Sequence, residues 1–170
     1  MSKVRGWVYL GLVTAVFTEI VSPVAWGGEK GLLSGSGLRD EEIISSDELR
    51  KMQTAREAFL LVDARSKKSY DEAHIEGAVL PLTAEYYRQE ELFSQGIING
   101  LPDKEAALAE AMGRYPKNTE IVTYCNDNCS AAEHLSGQIR SLGFTRVRVM
   151  EGGIQSWEKK GYPVEKASGL

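Results

Sequence analysis

Short apolar runs alternate along the chain with segments in which apolar residues recur every three or four positions. Continuous runs are typical of buried strands, and the three-to-four spacing is typical of amphipathic helices. The strands predicted in this way are 59–62, 78–80, 120–124 and 146–150, together with a short apolar pair at 43–44. The predicted helices are 45–55, 83–93, 103–115, 132–142 and 154–160. Strands that alternate with helices indicate an α/β domain whose parallel sheet is covered by helices on both faces.

Turn and capping residues support several of these boundaries. Ser45 and Glu48 have the spacing of a capping box, in which two side chains satisfy the first free N–H groups of a helix. Asp103 is a helix start signal, and Gly143 is a helix end signal. Pro81 stops the short strand before it.

The amino terminus has the layout of a secretory signal peptide. Lys3 and Arg5 precede residues 6–17, which are apolar except for one threonine. Ala25 and Gly27 are small residues at the spacing that signal peptidase recognises, so we predict a signal peptide of residues 1–27. The mature protein would then be periplasmic or secreted.

An uncleaved membrane anchor is the alternative for the same segment, and it is the only route by which this chain would contact a membrane. Glu19 weighs against it, because an acidic residue near the centre of a span costs about 2.5–3.5 kcal/mol on insertion scales. Residues 28–41 are rich in Gly and Ser and are predicted to be a flexible linker. One domain is predicted at 42–166, followed by a tail at 167–170.

Composition changes this picture little. Apolar residues make up 42% of the chain and charged residues 26%, values typical of soluble globular proteins. The net charge of −4 argues against a nucleic-acid partner.

Cys125 is the strongest candidate for chemistry. It follows a predicted strand and precedes a predicted helix by about five residues, so it lies where parallel sheets hold their ligands. The amino end of that helix would present backbone N–H groups to the sulfur and favour the thiolate form. The alternative is a small buried apolar residue at a strand end.

Between residues 43 and 164 the sequence resembles a rhodanese-homology domain. The residues that carry the resemblance are 60–65 (Leu-Leu-Val-Asp-Ala-Arg), Tyr70 with 73–78 (Ala-His-Ile-Glu-Gly-Ala), 121–125 (Ile-Val-Thr-Tyr-Cys), 142–144 (Leu-Gly-Phe), 150–157 (Met-Glu-Gly-Gly-Ile-Gln-Ser-Trp) and 161–164 (Gly-Tyr-Pro-Val). The resemblance implies a three-layer α/β fold with a five-stranded parallel sheet between helices. It also implies a sulfurtransferase that needs no metal or organic cofactor.

In this family a cysteine takes sulfane sulfur as a persulfide, and Cys125 falls on that position. The family's cradle of backbone N–H groups falls on the loop that follows, which is Asn126, Asp127, Asn128, Cys129 and Ser130. The implied partners are a small sulfur donor and a thiol or cyanide-like acceptor, with a protein acceptor as a further option. Asp63 and Arg65 fall on positions that organise the fold and the pocket.

The loop departs from the family pattern because it contains Asp127 and no cation. A carboxylate near the sulfur opposes the binding of an anion, so we predict that thiosulfate is a poor donor and that a persulfide or polysulfide is better. The alternative is that Asp127 caps the following helix and does not face the sulfur.

Cys129 is the other departure, four positions after Cys125. A second thiol at this distance would resolve a persulfide as a disulfide or protect Cys125 from overoxidation. The alternative is a neutral loop residue. In an oxidising compartment, two cysteines are also expected to form a structural disulfide.

The histidines are not expected to do chemistry. His74 is predicted to pack and form hydrogen bonds, and His134 is predicted to be a surface residue. With the two cysteines they do not make a convincing zinc site. Trp157 and the pair Gly152-Gly153 are interpreted as packing and turn residues.

Three other functions are considered on the same fold. A phosphatase or arsenate reductase would need an arginine at the sixth position after the cysteine, where this chain has Ala131. A thiol–disulfide switch that uses Cys125 and Cys129 lacks the usual two-residue spacing between the cysteines. A non-catalytic binding module would not need Cys125.

Overall fold

A computed structural model describes residues 37–167 of the 170-residue chain. The predicted signal peptide, most of the predicted linker and the last three residues of the tail lie outside the described residues, so these assignments stay predictions. The described residues all belong to one compact unit. None of the helices in this part of the chain has the length and apolar character that a membrane crossing requires.

Five parallel strands form the central sheet, as the sequence predicts. They are β1 (Ile43–Ile44), β2 (Leu60–Asp63), β4 (Ala78–Val79), β5 (Glu120–Tyr124) and β6 (Arg146–Met150). Their order across the sheet is β1-β6-β5-β2-β4, which places β5 in the centre. Every neighbouring pair is parallel, so the carboxyl ends of all five strands meet at one edge.

Six α-helices accompany the sheet within residues 37–167. They are α1 (Ser46–Thr54), α2 (Lys67–Glu72), α3 (Ala84–Ser94), α4 (Lys104–Met112), α5 (Ala131–Ser141) and α6 (Gly153–Lys159). On one face, α3, α4 and α5 pack against Val62 and Ile121. On the other face, α1 and α6 pack against Leu61 and Val122. Neighbouring residues of a strand point to opposite faces, so strands buried on both faces are apolar without interruption.

The predicted capping residues act as expected. The Ser45 hydroxyl accepts a hydrogen bond from the Glu48 N–H at 3.2 Å, and the Glu48 carboxylate accepts one from the Ser45 N–H at 2.9 Å. Asp103 caps α4 by accepting from the N–H of Glu105 at 2.8 Å. Because Asp103 is the cap, α4 begins one residue later than predicted, and it ends at Met112, three residues before the predicted end.

Four small elements of the described residues were not predicted. Helix α2 contains no buried residue, so it has no apolar periodicity by which the sequence could reveal it. Strand β3 (His74–Ile75) pairs antiparallel with β7 (Val164–Glu165), and two-residue strands are too short to show a pattern. A 3₁₀ helix at Asp40–Glu42 lies partly within the predicted linker. The Glu42 carboxylate in it pairs with Arg140 of α5 at 3.2 Å, which ties this turn to the helical layer of the domain.

Candidate active site

Cys125 lies directly after β5, in the centre of the sheet edge at which all five strands end. It is 3% exposed and packs against Ala132 of α5 and Val149 of β6. Leu38, from the end of the predicted linker, packs against the same cluster. The predicted position of Cys125 between a strand and a helix is thus confirmed.

The loop after Cys125 turns the chain from the sheet into α5. Asn126, Asp127 and Asn128 are exposed, whereas Cys129 is half-buried. Asn128 has a φ of 54°, the left-handed conformation that asparagine adopts more readily than most residues. Ser130 is the N-cap residue of α5, and its side chain makes no capping hydrogen bond. The amino end of α5 therefore has no side-chain cap from Ser130. A helix amino end without such a cap favours a bound anion.

Helix α6 holds the first half of the loop in place. The Ile154 N–H donates to the Cys125 carbonyl oxygen at 2.9 Å. The side chain of Gln155 bridges the next two residues: its Oε1 accepts from the Asp127 N–H at 2.7 Å, and its Nε2 donates to Asn126 Oδ1 at 3.3 Å. The Asp127 N–H is therefore bound to Gln155 of α6. The expectation that residues 126–130 form a cradle of N–H groups around the sulfur is corrected at Asp127.

The Asp127 side chain projects from the exposed loop. Among residues 37–167, its carboxylate makes no hydrogen bond and no ion pair. The alternative that Asp127 caps α5 is therefore wrong. No partner within these residues therefore offsets the effect of this carboxylate on an anion that approaches the loop.

Cys125 and Cys129 are joined by a disulfide bond. Their Cα atoms are 6.1 Å apart, and the loop between them closes a short ring. The interpretation of Cys129 as a loop residue unrelated to the site is therefore wrong, since the fold places its sulfur against that of Cys125.

A buried network of polar groups supports the strand end that precedes Cys125. Asp63 is fully buried at the end of β2, and Arg65 contacts both of its carboxylate oxygens, through Nε at 3.0 Å and Nη2 at 2.7 Å. The Tyr124 hydroxyl donates to Asp63 Oδ2 at 2.6 Å and accepts from the Ile75 N–H at 3.1 Å. Arg65 also donates to the Ala73 carbonyl oxygen at 2.5 Å. A buried ion pair is stable only when its remaining groups are satisfied in this way.

Tyr124 is the member of this network that sequence reasoning missed. Burial, with the nearby Asp63 charge adding to it, raises the pKa of Tyr124, so the hydroxyl stays protonated and donates to Asp63. The available signal is a tyrosine at the last position of a strand that is predicted to be buried, because a buried hydroxyl needs a partner. The network fixes Tyr124 immediately before Cys125, which agrees with the supporting position predicted for Asp63 and Arg65.

Gly153 is the other residue whose place at the site was missed. Its φ is +56°, and a Cβ atom there would lie 2.4 Å from the carbonyl carbon of Asn126 and 2.5 Å from the Cys125 carbonyl oxygen. Side-chain atoms do not approach backbone this closely, so only glycine fits. The sequence shows Gly153 as a turn residue and does not show that the turn touches the cysteine loop.

The remaining predicted residues behave as packing or surface residues. The His74 ring is buried, stacks on Tyr70 at 3.8 Å between ring centroids and contacts the Tyr70 carbonyl oxygen through Nδ1 at 2.8 Å. His134 is exposed. Trp157 is fully buried and donates through its indole N–H to the Pro163 carbonyl oxygen at 2.9 Å.

Comparison with known protein families gives one match, the rhodanese-like domain, over residues 45–160. Among curated proteins, the probable adenylyltransferase/sulfurtransferase MoeZ of Mycobacterium tuberculosis is 26% identical over 120 residues. That alignment covers 71% of this chain and 25% of the relative, so the chain spans about a quarter of the length of the curated relatives it matches.

Solved structures show the same fold. The BH2092 protein from Bacillus halodurans has a TM-score of 0.55 at 25% identity, over 74% of this chain and 77% of that protein. The 3-mercaptopyruvate sulfotransferase SseA from Escherichia coli has a TM-score of 0.55 at 18% identity, over 75% of this chain and 52% of that protein. These likenesses match the five-stranded parallel sheet and its two helical layers.

Proposed function

Because this chain belongs to the rhodanese-like domain family, we propose that it is a sulfurtransferase that carries sulfane sulfur as a persulfide on Cys125. The observation that supports this most directly is the place of Cys125, which is buried directly after the central strand and packs against Ala132 in the first turn of α5. A helix amino end stabilises an anionic sulfur, whether it is a thiolate or a persulfide. The probable sulfurtransferase among its relatives supports the same reaction class.

The proposed reaction has two half-reactions. In the first, the Cys125 thiolate attacks the outer sulfur of a donor, the donor's sulfur–sulfur bond breaks, and the rest of the donor leaves with the electron pair. In the second, a thiol or cyanide-like acceptor attacks the outer sulfur of the persulfide, and the Cys125 thiolate is released. Covalent catalysis of this type predicts ping-pong kinetics.

The test is a donor screen on the reduced, purified Cys129→Ser variant, read by intact mass, because this variant has no second thiol in the loop that could displace the bound sulfur. We expect a persulfide or polysulfide donor to add about 32 Da, the mass of one sulfur atom, and peptide mapping to place it on Cys125. Addition of cyanide should return the original mass and yield one thiocyanate per adduct. The absence of any adduct on Cys125 in this variant would rule out the proposal.

The disulfide favours a second candidate, a thiol–disulfide switch that uses Cys125 and Cys129. The same screen distinguishes the two functions. A switch alone would make the unmodified chain lose about 2 Da on oxidation, and the Cys129→Ser variant would retain no sulfur from any donor. A binding module without catalysis would show neither sulfur uptake nor turnover.

The donor is predicted from the charge of the loop, and Asp127→Arg tests it. The carboxylate is exposed and unpaired among the described residues, so it repels thiosulfate, a dianion. For a charge about 6 Å from the reacting sulfur at an effective dielectric near 20, the change of sign should stabilise the transition state by about 1–3 kcal/mol. That corresponds to a rise of roughly ten- to a hundredfold in kcat/KM for thiosulfate at low salt.

Asp127→Asn is the matched control, because it removes the charge without adding a cation, and it should give an intermediate rate. The gain should shrink as ionic strength rises, since the loop is exposed and its charges are screened. A neutral organic trisulfide should show little change in any variant. Efficient use of thiosulfate by the unmodified chain, or an unchanged rate in Asp127→Arg, would show that donor choice does not depend on Asp127.

A further inference from the structure

Cys125 and Cys129 form a reactive pair within one loop, held by the elements on either side. Their bond exists within the described fold, with Cα atoms 6.1 Å apart. The Asp63–Tyr124 contact fixes the start of the loop, and the contacts of Gln155 with Asn126 and Asp127 hold its first half. The bonded pair therefore coexists with the contacts that hold this loop to the sheet and to α6.

We propose that this pair gives the chain a second activity, the reductive release of sulfide from a persulfide. This inference rests on the proposed function, because its substrate is the persulfide on Cys125. The second activity also needs a thiol reductant, which supplies two electrons for each sulfide released. Sulfur bound to Cys125 would then have two fates: transfer to an acceptor, or release as sulfide.

The release step is a thiol–disulfide exchange inside the loop. The Cys129 thiolate attacks Sγ of Cys125, and the bond between that Sγ and the outer sulfur breaks. The outer sulfur leaves with the bonding electrons, takes up a proton and becomes hydrosulfide. The Cys125–Cys129 bond that the structure contains is the product of this step.

Reduction of the disulfide is directed to Cys129 by the burial of the two sulfurs. Cys125 is 3% exposed and packed against Ala132 and Val149, whereas Cys129 is half-buried. An external thiolate therefore reaches Sγ of Cys129, and Cys125 leaves as a thiolate at the amino end of α5. A leaving thiolate that is stabilised in this way leaves faster.

A second external thiolate then attacks the external sulfur of the mixed disulfide and releases Cys129. The oxidised product is the disulfide of the external thiol. Over the cycle, one persulfide and two thiols give one thiol, one hydrogen sulfide and one disulfide, so atoms and electrons balance.

The experiment is a single turnover of the full chain, reduced, freed of reductant and mixed with one equivalent of glutathione persulfide. For the unmodified chain we expect about one equivalent of sulfide and a mass about 2 Da below that of the reduced protein. Cys129→Ser should keep the sulfur as an adduct of about 32 Da, release less than about a tenth of that sulfide, and still pass its sulfur to cyanide. Cys125→Ser gives the background, with no adduct and no sulfide above a protein-free blank.

The outcomes separate this inference from the proposed function. If both the unmodified chain and Cys129→Ser keep a stable adduct and release no sulfide, the transferase proposal stands and the release activity is overturned. Equal sulfide release by Cys129→Ser and the unmodified chain would overturn it as well, because the pair would not be needed. If neither protein takes up sulfur, the proposed function itself fails. Circular dichroism and retained transfer to cyanide verify that Cys129→Ser is folded.

Discussion

Cys125→Ser is expected to abolish sulfur transfer, with a loss of at least about a thousandfold in the rate of thiocyanate formation from a persulfide donor and cyanide. A serine hydroxyl does not ionise near neutral pH, and its oxygen forms no stable adduct with sulfane sulfur. The substitution changes one atom in a buried position that packs mainly against Ala132 and Val149, so the fold should be kept. The loss would then reflect chemistry and not unfolding.

Cys129→Ser is the matched control, since it removes the other sulfur of the same loop. It should keep transfer to cyanide, because Cys125 remains at the strand end beside α5. Melting temperatures of the two reduced variants should agree within a few degrees, because each change is conservative. Equal loss of transfer in both variants would point to a mechanism that needs two cysteines. Unimpaired turnover by Cys125→Ser would rule out Cys125 as the residue that carries the sulfur.

The parts of the fold that could be predicted are those that local sequence patterns specify. Strands β5 and β6 have the predicted bounds, because each is a run with a clear apolar or alternating pattern. The cap at Ser45 was predicted because its partner Glu48 is three residues away. Helix α2 was missed because none of its residues is buried, and the pairing of β3 with β7 joins residues about ninety positions apart.

The candidate site likewise has one part that local sequence predicts and another part that it does not. Cys125 was found from a strand followed by a helix, which is a local signal. The contacts that hold its loop come from distant residues: Tyr124 meets Asp63 across 61 positions, and Asp127 meets Gln155 across 28. Such contacts follow from the order of strands in the sheet, and a single sequence does not specify which side chains will face each other.

The turn before α6 links the stability of the domain to the geometry of the site. Strands β5 and β6 are neighbours, so the segments that follow them lie side by side at the sheet edge. One segment carries Cys125 and the other carries Gly153, whose backbone contacts Asn126. The absence of a side chain at Gly153 is what allows the two segments to lie this close. A side chain at this position should therefore disturb folding and chemistry together.

Gly153→Ala is expected to lower the free energy of unfolding by about 2–4 kcal/mol. About 1–2 kcal/mol comes from holding an L-residue at a φ of +56°. A further 1–2 kcal/mol or so comes from overpacking, because the new Cβ would lie 2.4 Å from the backbone of Asn126, which must move.

Gly161→Ala is the matched control. Its φ is +69°, but no atom lies within 4 Å of the place that its new methyl group would occupy, so it should lose only the backbone contribution. Urea unfolding of both variants measures the difference, and sulfur transfer by the folded fraction should fall in Gly153→Ala alone, since Asn126 follows Cys125 directly. Equal destabilisation of the two variants, with transfer unchanged, would show that the close approach of Gly153 does not hold the cysteine loop.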